Sequence, residues 1–469
     1  MRDHSKLLSL LVVPLGMVAL FAFAESHPGY FTSAFYLGAF LGLQVLLVVV
    51  WHYEIIFFPA MMLTFLWAGI DVPLSSVGTG GRWVLLMLGA LVGVVKWARH
   101  THRRSMTALH LTAGLCVLAA VVSSQASVRM QVSLLKSASL GLLFVYGAAG
   151  ARIAVLDREA AFFRGLLRAC EGVAWISAFC YFGVHYEIFG NPNSLGAVLA
   201  VVIIPVLLWG VLSAKERPVR HRFTAALAVT TVLLLHSVAR ASILASVVVS
   251  TLMCLCLRKG KLLVQGAFVS VLLLATLAVV QPVQFEDLLT SFTQDLVYKG
   301  KQADGLLGSR KSPWEDTQRV IRESPWFGSG FGTDRLTGPD VAPDSWIASS
   351  SATSGEHGSS YLTLVQYVGL LGIVPFVAMF GLVLIYIRRV CAYMWRTGDA
   401  GDYAIPLAFI CVAGLINAAF EDWMVAVGYY LNVFFWTSVF LLADFQRPLP
   451  AKQAAPARAL PSRFAPAGR

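Results

Sequence analysis

One histidine and a handful of arginines stand where polar stretches meet apolar runs, and theirs is the chemistry the sequence could use. His357 lies in Glu356-His357-Gly358-Ser359-Ser360-Tyr361, directly before an apolar run that opens near residue 360. The positive end of a helix disfavours an imidazolium. A neutral imidazole accepts a proton, as a general base must. Position alone also fits a loop histidine making one local hydrogen bond. Arg240 ends the apolar run 223–240, in Ser237-Val238-Ala239-Arg240-Ala241-Ser242. A guanidinium held between helices in lipid costs ~3 kcal/mol if central; snorkelling to the interface is the alternative. Arg319 and Arg322 are three apart and share one helix face. Arg82, Arg129 and Lys136 could add positive charge, Asn191-Pro192-Asn193 amide donors, and Glu421-Asp422 carboxylates. Each of these taken alone is an ordinary boundary residue.

Taken together they say more. Guanidinium groups bind phosphate oxygens through two parallel hydrogen bonds. A departing diphosphate gathers negative charge, and fixed arginines would stabilise it without a divalent ion. The chain has no pair of aspartates two apart and no His/Cys spacing suited to zinc. His100 and His102, set among Lys96, Arg99, Arg103 and Arg104, read as lipid-facing positive charge. Neither a metal nor a cofactor is expected.

The elements that must hold these groups are membrane helices. Of the 469 residues 57% are hydrophobic and 13% charged, and mean hydropathy is +0.72. Soluble domains carry about a quarter charged residues, and a bilayer core needs about 20 apolar residues per helix. Candidate helices fall at roughly 7–24, 30–51, 55–70, 82–99, 107–124, 132–150, 168–184, 194–213, 223–240, 242–257, 262–280, 360–387, 403–420 and 424–443. The fold class is therefore all-α, a polytopic transmembrane bundle of about 12–14 helices with a large helical periplasmic loop. Both ends lie inside, because most Lys and Arg then fall in cytoplasmic segments. The net charge of +11 is thus topological and does not argue for nucleic acid. The seven cysteines read as apolar packing residues. Arg2, Lys6, the first apolar run and Ala22-Phe23-Ala24 also look like a secretory signal, though the run exceeds the usual core of about 7–15 residues.

The chain divides into helices over 1–280, a polar loop over 281–358, helices over 359–444 and a Pro/Ala/Arg-rich disordered tail over 445–469. Loops as long as the second segment are uncommon unless functional. Within it, 285–298 has the spacing of an amphipathic surface helix. Ser312-Pro313-Trp314-Glu315 has the pattern of a capped helix start, running to about Glu323. Phe327-Gly328-Ser329-Gly330-Phe331-Gly332 reads as a flexible turn. Gly369, Gly372 and Pro375 suit close packing and a bend in the following helix.

Gly308-Ser309-Arg310, Trp314, SPWFGSGFG at 324–332, His357 and SSYLTLVQYVGLLGIVPF at 359–376 together resemble the signature region of the O-antigen ligase and polysaccharide-polymerase superfamily. FGNPNSLG at 189–196 and SVARAS at 237–242 add to the resemblance, which covers about residues 185–380. Gly358 stands where asparagine is common after the histidine, which leaves Glu356 as the available partner of His357. The resemblance implies a GT-C-like, metal-independent membrane glycosyltransferase of the bacterial inner membrane, with its site facing the periplasm. Its donor would be an undecaprenyl-diphosphate-linked oligosaccharide, and its acceptor lipid A-core for a ligase or another glycan for a polymerase. Fourteen candidate helices favour the polymerase. His357 would then be the base, Arg240 and Arg310 would grip the diphosphate, and Arg319 and Arg322 would either help or pair with Glu315 and Glu323. The competing readings are a non-enzymatic flippase or exporter and a scaffold. An exporter would spread charge through many helices, whereas here charge gathers at one face.

Overall fold

A computed structural model of the chain describes residues 54–70, 75–99, 106–155, 157–266, 268, 275, 308–333 and 358–446. The apolar runs expected before residue 54, most of the run at 262–280, the amphipathic stretch 285–298, Glu356, His357 and the tail from 447 lie outside these residues.

Every regular element among the described residues is helical. In chain order these are α1 (Glu54–Gly69), α2 (Ser75–Arg99), α3 (Ala108–Ser124), α4 (Met130–Val145), α5 (Ala151–Val155), α6 (Glu159–Ala178) and α7 (Pro192–Val198). They continue as α8 (Ile204–Ser213), α9 (Arg217–His236), α10 (Arg240–Cys256), α11 (Gly308–Glu323), α12 (Ser360–Thr397), α13 (Ala404–Asn417) and α14 (Tyr430–Asp444). Three π-helical turns, Tyr146–Gly150, Phe179–Val184 and Leu199–Ile203, extend α4, α6 and α7. Gly81–Arg99, Met130–Val155, Pro192–Ser213 and Ser360–Thr397 are long and apolar enough to cross a membrane, and shorter apolar helices lie beside them.

Burial sorts the helices into a centre and a rim. A helix apolar on all sides belongs in the interior. Pro192–Ser213 is almost wholly buried, and so is α14, whose Phe440 and Trp436 meet Phe144 edge-on at 5.7 and 5.3 Å. By contrast α12 exposes Leu370, Leu371, Val374 and Val377, an apolar face that a bilayer solvates. Small residues bring backbones together: a Cβ on Gly93 would lie 2.4 Å from the Gly150 Cα.

One end of the bundle is clasped by an ion pair. Arg152 donates from Nε to Asp444 Oδ2 at 2.5 Å and from Nη2 to Oδ1 at 2.7 Å, and both side chains are buried. His110 Nε2 lies 3.2 Å from Arg152 Nη1. The pair ties α5 to the last residue of α14, with α3 alongside. The candidate site is at the opposite end of α14.

Candidate active site

The site is framed by a helix that the chain deliberately interrupts. In α12, Gly369 has φ +68° and ψ −177°, a region essentially restricted to glycine. A break inside an apolar bundle frees backbone groups that must find partners. The segment after α11 supplies them. Ser329 and Gly330 N–H donate to the Gln366 and Tyr367 carbonyls at 2.8 and 3.2 Å, while Leu370 and Leu371 N–H donate to Pro325 and Trp326 at 2.8 and 3.2 Å. The glycine run expected to be a flexible turn is therefore a packed wedge, with Ser329, Phe331 and Thr333 buried. Gly328, Gly330 and Gly332 all have positive φ. The interruption falls at Gly369 rather than at Pro375, because Gly369 is where the wedge enters. Lys136 Nζ donates to Gly332 O at 2.5 Å and Ser133 Oγ to Phe331 O at 2.8 Å, so Lys136 serves this wedge.

The turn carrying Arg240 is also tightly held. Arg240 opens α10; the preceding helix stops at His236, four residues short of the end expected from the apolar run. Val238 sits between them at φ +51°, where a β-branched residue is a genuine outlier. Strain of this kind persists only where the surroundings over-determine it. Here α7 does so: a Cβ on Gly196 would lie 2.4 Å from Ala239 Cβ and 3.0 Å from Ser237 Oγ. The two upstream pieces of the sequence signature thus meet in space. Asn191 caps α7 by accepting from Asn193 N–H at 2.8 Å, with Pro192 at the first position.

Arg310 comes from α11, which begins at Gly308 rather than at the expected cap Ser312 and carries Pro313 one turn inside. Burial and, second to it, the like charge of Arg310 act on the guanidinium of Arg240. Arg310 Nη2 donates to Glu421 Oε1 in a close ion pair. Like charges held together need a counter-ion, and Glu421 provides one. The turn bearing Glu421 is fastened to the start of α12. Ser360 N–H donates to Ala418 O and Glu421 O at 2.9 and 3.0 Å, and Ser360 Oγ donates to Glu421 O at 2.7 Å and accepts from Met424 N–H at 3.0 Å. Deeper in, Trp423 Nε1 donates to Asn417 Oδ1 at 2.7 Å and Asn417 Nδ2 to Ser242 Oγ at 3.0 Å, which couples this turn to α10. Burial holds the Tyr429 hydroxyl above its ordinary pKa; hydrogen bonds to Ser194 and Tyr430 oppose that shift, and the nearby carboxylates of Glu421 and Asp422 reinforce it.

Gly358 lies against the same cluster. Trp314 Nε1 donates to its carbonyl at 3.2 Å, and a Cβ on Gly358 would lie 3.2 Å from Arg310 Cδ. Gly358 also has φ +68°. Glycine meets both the positive φ and the close approach of Arg310 and Trp314 at this position.

Arg240, Arg310 and Gly358 are therefore brought together. Arg319 and Arg322 face elsewhere on α11: Arg319 pairs with Asp316 at 3.0 Å on an exposed face, and Arg322 lines a shallow surface hollow with Glu315, Gln318 and Glu323. Glu421 is the residue that sequence reasoning left as a boundary carboxylate. The available signal was an acidic pair in a turn at the end where arginines collect.

Residues 223–377 match the O-antigen ligase family. This stretch is similar to O-antigen ligases. The match runs from α9 into the broken helix α12 and contains Arg240, Arg310, the glycine wedge and Gly358. No curated protein matches the chain. The apolar helices and the similarity to O-antigen ligases are together those of a multi-pass membrane protein of glycosyl-transferring kind.

Proposed function

We propose that the protein transfers or polymerises an undecaprenyl-diphosphate-linked glycan at the periplasmic face of the bacterial inner membrane. The observation that carries this reading is Arg310, paired with Glu421 and packed against Gly358, the residue that follows His357 in sequence, at the end of the bundle where Arg240 opens α10. Two guanidinium groups and the one carboxylate paired with Arg310 leave net positive charge for a diphosphate. Glu421 neutralises part of the repulsion in the absence of substrate. The donor's anomeric C–O bond to the diphosphate breaks as the acceptor hydroxyl oxygen bonds to that carbon. His357 takes the hydroxyl proton, with Glu356 as its partner, and the carrier diphosphate leaves against Arg240 and Arg310. Arg319 and Arg322, on the exposed face of α11, would meet the glycan or solvent instead of the diphosphate. Charge gathered at one end of the bundle favours this reading over a flippase.

The test uses purified protein, a synthetic undecaprenyl-diphosphate oligosaccharide and a chelator. Longer carrier-linked glycans from donor alone mean a polymerase. Product only after lipid A-core is added means a ligase. Transfer should survive the chelator and vanish in His357→Ala at unchanged yield of inserted protein. A fully active His357→Ala protein would overturn the role of the base.

A further inference from the structure

Two thiols meet at the end of α10 away from Arg240. Cys256 is the last residue of α10 and is buried, whereas Cys391 lies toward the far end of α12 and is partly exposed. Their side chains share a hydrogen bond across the two helices. The backbone holds Cys256 in place. Where α10 ends, Arg258 N–H donates to Leu255 O at 2.9 Å and Lys259 N–H to Cys254 O at 2.8 Å. Arg258 sits at φ +57°, the left-handed position that glycine usually takes at a helix end. Its side chain gives the turn a second hold, because the guanidinium carbon lies 5.3 Å from the centre of the Trp395 ring on α12. Trp395 is four residues past Cys391, so both stand on the face of α12 that meets the end of α10. Lys259 Nζ also donates to Leu212 O at 3.1 Å, which ties the same turn to α8.

A dithiol so placed has chemistry that a lone thiol lacks. Sulfurs already in contact need little side-chain movement to reach the ~2 Å of a disulfide. Their unequal exposure sets an order of events. Cys391, the accessible thiol, loses its proton, and its sulfur attacks one sulfur of a small disulfide. The other half of that disulfide leaves as a thiolate and takes up a proton. Cys256 then attacks the Cys391 sulfur and releases the second half in the same way. Two protein thiols are oxidised to one disulfide while the small disulfide is reduced to two thiols, so atoms and electrons balance. Cys254 is two residues before Cys256, about 200° away around the helix, and is buried, which makes it a poor partner for Cys391. This end carries Lys259, Lys261, Arg388, Arg389 and Arg396, which the positive-inside rule places in the cytoplasm. Disulfides there are transient and redox-sensing, so the link is one that oxidation makes and thiols undo.

We propose that Cys256 and Cys391 are a redox-reactive pair, joined into an intramolecular disulfide by exchange with a small-molecule disulfide. The bond fastens α10, which opens with Arg240, to α12, which starts just after Gly358. Nothing in this assignment depends on the transferase reading.

The experiment treats the reduced, detergent-purified full chain with oxidised glutathione, blocks the remaining thiols with an alkylating agent and reads the digest by mass spectrometry. The wild type should yield a cross-linked peptide pair joining Cys256 to Cys391, lighter by two hydrogens than the two reduced peptides together, and dithiothreitol should remove it. Cys391→Ser should lose the link. Cys256→Ser should lose it too but keep glutathione on Cys391, because no second thiol completes the exchange. A glutathione adduct that persists on Cys391 in the wild type would overturn the proposal, since the two thiols would then not meet. So would a link through Cys254 in place of Cys256, or a Cys256 and Cys391 that both stay fully open to alkylation after the oxidant. The wild-type readout needs no substituted protein, so a variant that fails to fold leaves the test intact. Glycan transfer enters none of these measurements, and failure here leaves the transferase reading standing.

Discussion

Replacing Gly369 by alanine tests the wedge that holds the site together. At φ +68° and ψ −177° the new side chain would sit in backbone space that only glycine uses, a strain of about 1–3 kcal/mol. Its Cβ would also lie 2.4 Å from the Trp326 carbonyl oxygen and 2.6 Å from Gly328 N. Both are backbone atoms, so the wedge as a whole has to move. Moving it breaks at least the bonds from Ser329 N–H to Gln366 O and from Leu370 N–H to Pro325 O. At about 1 kcal/mol net for each, the total destabilisation is about 3–5 kcal/mol. The control is Gly381→Ala in the same helix, where a Cβ meets nothing within 4 Å. That change should be neutral or stabilising by up to about 1 kcal/mol, from helix propensity. Thermal unfolding in detergent reads both. A Gly369→Ala protein with the midpoint of the wild type would refute the claim that the wedge and the broken helix form one rigid unit.

Three further outcomes follow from the packing around the site. Arg310→Lys keeps the charge opposite Glu421 but loses the planar fork, so donor transfer should fall about tenfold or more at a nearly unchanged thermal midpoint; full transfer would mean that a point charge suffices. Gly196→Ala forces its Cβ onto Ala239 and should displace the Arg240 turn, lowering transfer by about tenfold. Adding Ala239→Gly should restore much of that loss, and absence of rescue would place the defect elsewhere. At the other end, Arg152→Ala strands Asp444, whose carboxylate is buried, and should destabilise by about 3–5 kcal/mol, whereas Arg152→Met with Asp444→Leu should be close to neutral. Equal losses from the two changes, measured by thermal unfolding, would contradict a purely paired role.

Helix class and most helix positions were legible because lipid imposes a one-dimensional rule. Some 20 apolar residues make a span, and Pro192–Ser213 and Met130–Val155 are continuous runs of that kind. Local chemistry was legible too: Asn191 before Pro192 marks a helix start, and the structure has it. The ordered pieces from SVARAS to the helix after His357 fall within the stretch that matches the O-antigen ligase family, since motif order along a chain survives without coordinates. The exact ends were less legible. No glycine or proline marks a break across His236–Arg240, and the chain turns where Gly196 packs on Ala239, which hands Arg240 to α10. The glycine run 327–332 looked mobile because glycine is permissive by itself. Its rigidity comes from carbonyls freed 37 residues later in α12, a partner that no local window contains. For the same reason the sequence determined which residues could neutralise a diphosphate, but tertiary structure alone decided which of them share a site. Arg310 and Arg319 lie on one helix, and the turn of that helix puts the first against Glu421 and the second toward solvent.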